Sequence, residues 1–162
     1  MEFATTDLCD EYDDLHIADP VFTNFGSVDP FAGPIATVKV HEDNVLVRQA
    51  LETSGDGRVL VVDGGGSLRC ALVGDLLISL ALENGWVGIL VNGAVRDVGQ
   101  IRTIGLPLRA LATRPNKSVK NGFGQVEVPV RFAGAVFTPG AWLYADDDGI
   151  VVADGPRHLS SP

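Results

Sequence analysis

Two short segments hold residues whose types and spacing suit chemistry on a small anion. In Asn92-Gly93-Ala94-Val95-Arg96-Asp97 a guanidinium and a carboxylate stand side by side after an apolar run. Arg96 offers a planar fork of donors that matches a carboxylate, and Asp97 offers a hard oxygen ligand to a divalent cation. Together they would hold a metal-chelated oxo acid, with Gly93 letting the backbone bend tightly or approach a ligand. The second segment, Gly74-Asp75-Leu76-Leu77, opens a helical pattern, where free N–H groups and the positive dipole end make an anion site. Both segments have a plainer use. Asp97-Val98-Gly99-Gln100 has the spacing of a capping box, and Asp75 can cap its own helix for about 1 kcal/mol. Arg96 by itself would serve as a solvated or ion-paired surface residue. Capping and metal binding do not exclude one another, since a second carboxylate oxygen stays free, and spacing leaves both open.

The elements that must position these residues can be read from periodicity. Thr5 or Thr6 can cap a short amphipathic helix through Leu8 and Cys9, and residues 16–24 are loop-like. Residues 35–40 follow Gly33-Pro34, are rich in β-branched side chains and predict a strand. Residues 42–53 predict a helix whose apolar face is Val45, Leu46, Ala50 and Leu51, ending at Ser54-Gly55-Asp56-Gly57. Val59-Leu60-Val61-Val62 predicts a strand buried on both sides, turned by Gly64-Gly65-Gly66. A helix from about Asp75 to Asn84, closed by Gly85, leads to a second buried strand over residues 87–91, a crossover expected to make the two strands parallel. Arg96 and Asp97 then follow the carboxyl end of a strand, where ligands collect in mixed α/β sheets. A short helix near residues 98–103 and a strand over 108–113 come next. From Gln125 on, short segments divided by Pro139-Gly140 and Asp148-Gly149 predict antiparallel β-structure. The expectation is one mixed α/β domain spanning residues 1–162.

Other constellations carry less. Gly64 and Gly66 are followed by Arg69 where a dinucleotide fingerprint needs glycine, and no G-K-[ST] is present. Gly65-Gly66-Ser67-Leu68-Arg69 breaks the nucleophile-elbow pattern. Residues 59–66 are similar to the glycine-rich first strand of methyltransferases, a third reading that predicts S-adenosylmethionine binding. His16, His41 and His158 are scattered, and Lys39 among polar neighbours reads as a solvated charge rather than a Schiff-base lysine. Asp146-Asp147-Asp148-Gly149 reads as a hairpin turn before a cation cluster. Cys9 and Cys70 form no C-x-x-C and read as small core residues. The formal charge is -9, from 21 acidic and 12 basic residues with no stretch that gathers the basic ones. Such a surface repels phosphate backbones and anionic lipid, so direct nucleic-acid binding is disfavoured. Glu2 and Asp7 stand where a secretory signal needs positive charge, and the apolar region over residues 71–91 is broken by Asp75, Glu83 and Asn84, so a cytoplasmic, non-membrane protein is expected.

Seven segments in order carry a further signal: Asp7-Leu8-Cys9-Asp10, Phe25-Gly26, Phe31-Ala32-Gly33-Pro34, Val61-Val62-Asp63-Gly64-Gly65-Gly66-Ser67, Ala71-Leu72-Val73-Gly74-Asp75, Asn92-Gly93-Ala94-Val95-Arg96-Asp97 and Tyr144-Ala145-Asp146-Asp147-Asp148-Gly149. Together they resemble one family, the RraA-like group that takes its name from the regulator of ribonuclease E activity and includes 4-hydroxy-4-methyl-2-oxoglutarate aldolases. The resemblance implies a swivelling β/β/α-type layered sandwich in a homotrimer, with sites near subunit boundaries. It implies that Gly74, Asp75, Leu76, Leu77 and Arg96 bind substrate and that Asp97 holds a divalent metal, usually Mg²⁺. It also implies a carbon–carbon lyase, cleaving 4-hydroxy-4-methyl-2-oxoglutarate and decarboxylating oxaloacetate through a pyruvate enolate, with Arg96, Asp97 and Asp75 as the catalytic set. In the regulator branch, which docks on ribonuclease E without catalysis, the position after the arginine is often not acidic, so Asp97 favours the enzyme. Longer aldolases add a C-terminal extension that lends a neighbour another acid; the sequence ends at Pro162 without it, an expectation that favours decarboxylation.

Overall fold

The all-apolar run Val59-Leu60-Val61-Val62 lies where such a run must lie, in a central strand covered on both faces. The computed structural model describes residues 2–159. Along the chain come α1 (Thr5–Glu11), β1 (His16–Ile17), β2 (Thr23–Asn24), β3 (Phe31–Lys39), α2 (Val45–Leu51), β4 (Val59–Asp63), β5 (Ala71–Val73) and α3 (Asp75–Glu83). After them come β6 (Gly88–Val95), α4 (Val98–Ile101), β7 (Leu108–Thr113), β8 (Gln125–Val126), β9 (Val130–Phe132), β10 (Ala135–Phe137), β11 (Trp142–Asp146) and β12 (Gly149–Ala153).

Strands β3, β4, β6 and β7 are parallel neighbours in that order. Alternation along them feeds two cores. Val38, Leu60, Val62, Ile89 and Val91 pack with Val47 and Leu51 of α2, Leu77, Ile78 and Ala81 of α3, and Ile101 of α4. Ile35, Val59, Val61 and Leu90 pack instead with Val130, Phe137, Leu143, Ile150 and Val152 of the antiparallel strands. The product is three layers, helices on a parallel sheet on an antiparallel sheet, which is the β/β/α sandwich expected. One strand serves both sheets: residues 31–34 of β3 pair antiparallel with β11, and residues 35–39 pair parallel with β4. On the outer face of β11 and β12, Leu8 of α1 packs with Tyr144, Val151 and Ala153.

The structure departs from the sequence reading at several points. Residues 16–24 include two short strands, because β1 and β2 are edge strands held by β12 and β7 rather than by a pattern of their own. Neither threonine caps α1: its cap is Ala4, and Thr5 instead gives its N–H and hydroxyl to the Asp146 carboxylate, at 2.7 and 2.6 Å. α2 starts only at Val45, since Glu42 is left-handed (φ 56) and the Asp43 carboxylate accepts the Val45 N–H. Its buried residues are Val47 and Leu51. β3 begins at Phe31, four residues early, where pairing with β11 carries the strand through Pro34. Cys70 is buried and Cys9 half-buried, both as free thiols. Among the described residues no helix is long and apolar enough to cross a membrane.

Candidate active site

β6 does not stop at Val91. It continues to Val95 because β5 pairs parallel with its far end, Ala71 against Ala94 and Val73 against Val95. The two strands end side by side, and the Arg96 N–H is given to the Val73 carbonyl at 2.9 Å. The segments leaving the two strands are therefore adjacent: Gly74 and the start of α3 after β5, Arg96 and Asp97 after β6. The two segments singled out by residue type are brought together by this pairing alone.

Asp97 holds the N-cap position of α4, as its spacing predicts, but its side chain does not cap the helix. It sits in the left-handed region (φ 61, ψ 33), and its side chain makes no capping hydrogen bond. A side-chain cap needs an extended backbone to lay the carboxylate over the following N–H groups; the left-handed turn removes that geometry at a cost of about 1 kcal/mol for a residue with a Cβ. The carboxylate lies instead against Gly74, where a Cβ on that glycine would be 2.6 Å from Asp97 Oδ2. The same oxygen is 3.4 Å from the Asp75 N–H and 4.0 Å from Arg96 Nε. Arg96 and Asp97 keep 41% and 43% of their side-chain surface exposed, so neither is consumed by the fold. Asp75 is the first helical residue rather than the cap, and its Oδ1 accepts the Leu76 N–H at 3.0 Å. Leu77 sends its side chain into the helical core and Leu76 sends its own outward; with the Leu76 N–H already given to Asp75, the donor these two can offer a small anion is the Leu77 N–H.

Around these residues is a cleft of about 120 Å³, and its other walls carry Asn44, Arg48, Lys117 and Lys120. Four cations, Arg48, Arg96, Lys117 and Lys120, thus converge in a chain whose net charge is -9. No local pattern had linked the last two to α3. The one trace is the spacing of Arg114, Lys117 and Lys120 at every third position. They arrive through long-range ties: the Ala71 N–H goes to the Asn116 carbonyl, Lys120 Nζ goes to Asn44 Oδ1 at 2.8 Å, and Asn44 Nδ2 goes to the Leu72 carbonyl at 3.0 Å.

The clamp on this loop is Asp43, which is 2% exposed. Its Oδ1 accepts Val45 N–H and its Oδ2 accepts the N–H groups of Asn121, Gly122 and Phe123. Burial pushes this carboxyl up, but the backbone donors from Val45 and the loop outweigh burial and hold it below its ordinary value. Asp146 is lowered in the same way, burial opposed by Thr5 and the turn N–H groups. Carboxyls depressed in the folded state contribute stability that is complete above the ordinary carboxylate range and is lost as pH falls through the lowered values. Acid unfolding followed by circular dichroism should therefore begin only below about pH 4. Asp43→Asn should remove about 3 kcal/mol of stability, since an amide offers one acceptor where two are used and turns an NH₂ toward backbone donors; urea unfolding measures this.

Two further features limit what the site can hold. Among the described residues, no three or more His, Cys, Asp or Glu stand together as a metal cage. A cation here would rest on Asp97, waters and substrate oxygens, which suits magnesium, an ion that keeps waters and takes one or two carboxylates. The Gly64-Gly65-Gly66-Ser67 turn has no backbone donor to spare for a nucleotide-like ligand. Its N–H groups go to Asn92 O, Asp63 Oδ1, Asn92 O and Gly64 O in turn. The Asp146–Gly149 segment is a β11–β12 turn, as its Asp-Gly spacing predicts.

The model of the RraA-like family, described as Aldolase/RraA, matches residues 5–152. A protein of Laribacter hongkongensis provisionally named 4-hydroxy-4-methyl-2-oxoglutarate aldolase is 57% identical over 157 residues, covering 96% of this chain and 99% of the relative. The solved structure of the RNA-processing inhibitor RraA from Thermus thermophilis superposes with a TM-score of 0.94 at 47% identity, covering 98% of this chain and 96% of that one. A solved structure from Geobacillus kaustophilus described as S-adenosylmethionine:2-dimethylmenaquinone methyltransferase has a TM-score of 0.94 at 45% identity, covering 99% of this chain and 100% of that one. One fold thus carries three descriptions, and the residues of the cleft must choose among them.

Proposed function

This chain belongs to the RraA-like family, and on that footing we propose that it is a metal-dependent lyase, cleaving 4-hydroxy-4-methyl-2-oxoglutarate to pyruvate and decarboxylating oxaloacetate. The observation that carries the reading is Asp97: a half-exposed carboxylate, held off its own helix by a strained backbone, beside a guanidinium at the mouth of a basic cleft.

Both reactions break the bond between the third and fourth carbons of a 2-oxo acid and leave the electron pair as a pyruvate enolate. Aldol cleavage also takes the proton of the 4-hydroxyl, whereas decarboxylation releases CO₂. Arg96 orients the carboxylate next to the oxo group and neutralises the growing enolate charge, through charge-assisted hydrogen bonds of about 1.5 to 3 kcal/mol. The first turn of α3 adds its positive dipole end and the Leu77 N–H to the same carboxylate. Lys117, Lys120 and Arg48 face the remaining carboxylate of a substrate that carries more than one. In this reading the Asp75 carboxylate, one oxygen of which accepts the Leu76 N–H, uses its other oxygen to hold the water that returns a proton to the enolate carbon. A divalent cation at Asp97, Mg²⁺ by the donor set, would supply Lewis-acid polarisation of the 2-oxo group, contributing several kcal/mol.

The test is pyruvate release from each substrate, with Mg²⁺, with EDTA, and with Mg²⁺ added back. Release should fall at least about tenfold in EDTA and recover on add-back. Equal rates in all three conditions would remove the lyase. A second reading, a regulator that docks on ribonuclease E, is favoured by the likeness to the Thermus inhibitor and by an acidic surface suited to a basic partner. Inhibition of that ribonuclease that survives Asp97→Asn would support docking apart from catalysis. The methyltransferase description draws nothing from the glycine turn, whose donors are all used within the chain.

A further inference from the structure

A second cavity, about 410 Å³, shares no lining residue with the Arg96 cleft. Its walls are α1, residues 17–22 and the β11–β12 turn, and its single lining cation is Arg109 of β7. Arg109 is 8% exposed. It gives one Nη2 hydrogen bond to the Asp146 carbonyl at 2.8 Å and lies 5.9 Å from the centre of the Phe31 ring. Its Nε is enclosed with no acceptor. The Asp146 carboxylate makes no direct ion pair with it, being spent on Thr5 and the Asp148 N–H. A guanidinium this enclosed is costly unless an anion meets it, and among the described residues Asp146 and Asp147 attract it without touching it, while its contacts are a carbonyl and a ring.

The rim has the opposite sign. Asp10, Asp19, Asp147 and Asp148 all line the cavity and are all exposed. Between floor and rim lie Ile17, Ala18, Pro20, Phe22 and Ile150. A simple anion would be repelled at the entrance, and a simple cation would meet Arg109 at the floor. A ligand with both charges and an apolar body satisfies every wall.

We infer that this cavity binds an α-amino acid with an apolar side chain, its carboxylate on Arg109, its ammonium toward the aspartates of the rim and its side chain over Phe22 and Ile17. The inference does not depend on the reaction proposed for the other cleft. It is tested by calorimetric titration of the whole protein with L-leucine, with 4-methyl-2-oxopentanoate, which lacks the ammonium, and with 3-methylbutylamine, which lacks the carboxylate. Leucine should bind saturably, each analogue at least about tenfold more weakly, and Arg109→Met should weaken leucine by at least that factor. The double variant Asp19→Asn with Asp147→Asn, at exposed positions, should weaken leucine as well and stands even if Arg109→Met fails to fold. Arg96→Ala should leave leucine binding intact. No leucine binding by the wild type, equal binding of the analogues, or loss of leucine binding in Arg96→Ala would each overturn the inference. So would an Arg109→Met protein that changes its assembly size while leucine binding is untouched, which would make the cavity a seat for a second copy of this chain.

Discussion

Asp97→Asn is expected to lower kcat/KM for pyruvate release by roughly 10³-fold or more, which corresponds to about 4 kcal/mol of lost transition-state stabilisation. Asparagine keeps the size of the side chain and tolerates the left-handed backbone (φ 61). What it removes is the charge that would hold a hard cation. The same variant should leave the melting temperature nearly where it was, because the carboxylate makes no cap on its own helix, and its one backbone contact, the long 3.4 Å approach of the Asp75 N–H, can go to the asparagine oxygen. Had it been the cap that its spacing suggests, loss would cost about 1 kcal/mol, or roughly 2 to 4 °C in a chain of this size. Asp97→Gly sharpens the contrast, since glycine relieves the left-handed strain and should raise the melting temperature while abolishing activity. Full activity in Asp97→Asn, or a stability loss of several degrees in that variant, would place this residue in the fold rather than in the chemistry.

The second large effect is expected at a residue with no side chain. Gly74 has φ -130 and ψ -170, extended backbone that alanine adopts freely, so Gly74→Ala should fold without difficulty. Its Cβ would nevertheless arrive 2.6 Å from Asp97 Oδ2 and 3.5 Å from Arg96 Cγ. Both neighbours are the flexible parts of half-exposed side chains, so they yield by swinging away, and the site is disordered while the core is untouched. A displacement near 1 Å in a positioned group can cost about 10²-fold in rate, and that is the drop expected here with the melting temperature nearly unchanged. Gly99→Ala is the matched control: an added Cβ there meets nothing within 4 Å, and activity should stay as it was.

How much could be read in advance differs between strands and site. β4 and β7 were legible nearly to the residue, because a run of β-branched and apolar side chains bounded by glycine or proline has one good use. The helical start at Asp75 was legible for a different reason, an acidic residue after glycine at the head of a leucine-rich stretch that ends at Asn84-Gly85. The ends of β3 and β6 were not, since each is extended by a partner distant in sequence, β11 in one case and β5 in the other. For the site, residue chemistry picked out Arg96, Asp97 and Gly74-Asp75, and pairing of β5 with β6 supplied the reason they meet. Local spacing suggested a capping box at Asp97-Gln100, and the left-handed backbone at Asp97 overrules it. Lys117 and Lys120 were invisible, because the carboxylate that holds their loop in place, Asp43, reaches nearly eighty residues along the chain to do so, and without that loop nothing marked Arg48 of α2 as a wall of the cleft.

The strand shared by the two sheets has a consequence for how the sequence can vary. A slip of one residue anywhere in 31–39 would turn the side chains of both halves to the wrong side together, exchanging what faces the helices with what faces the antiparallel layer. Insertions and deletions should therefore be least tolerated in this segment, whatever its own side chains contribute. The strand acts as the common ruler against which both halves of the molecule are set.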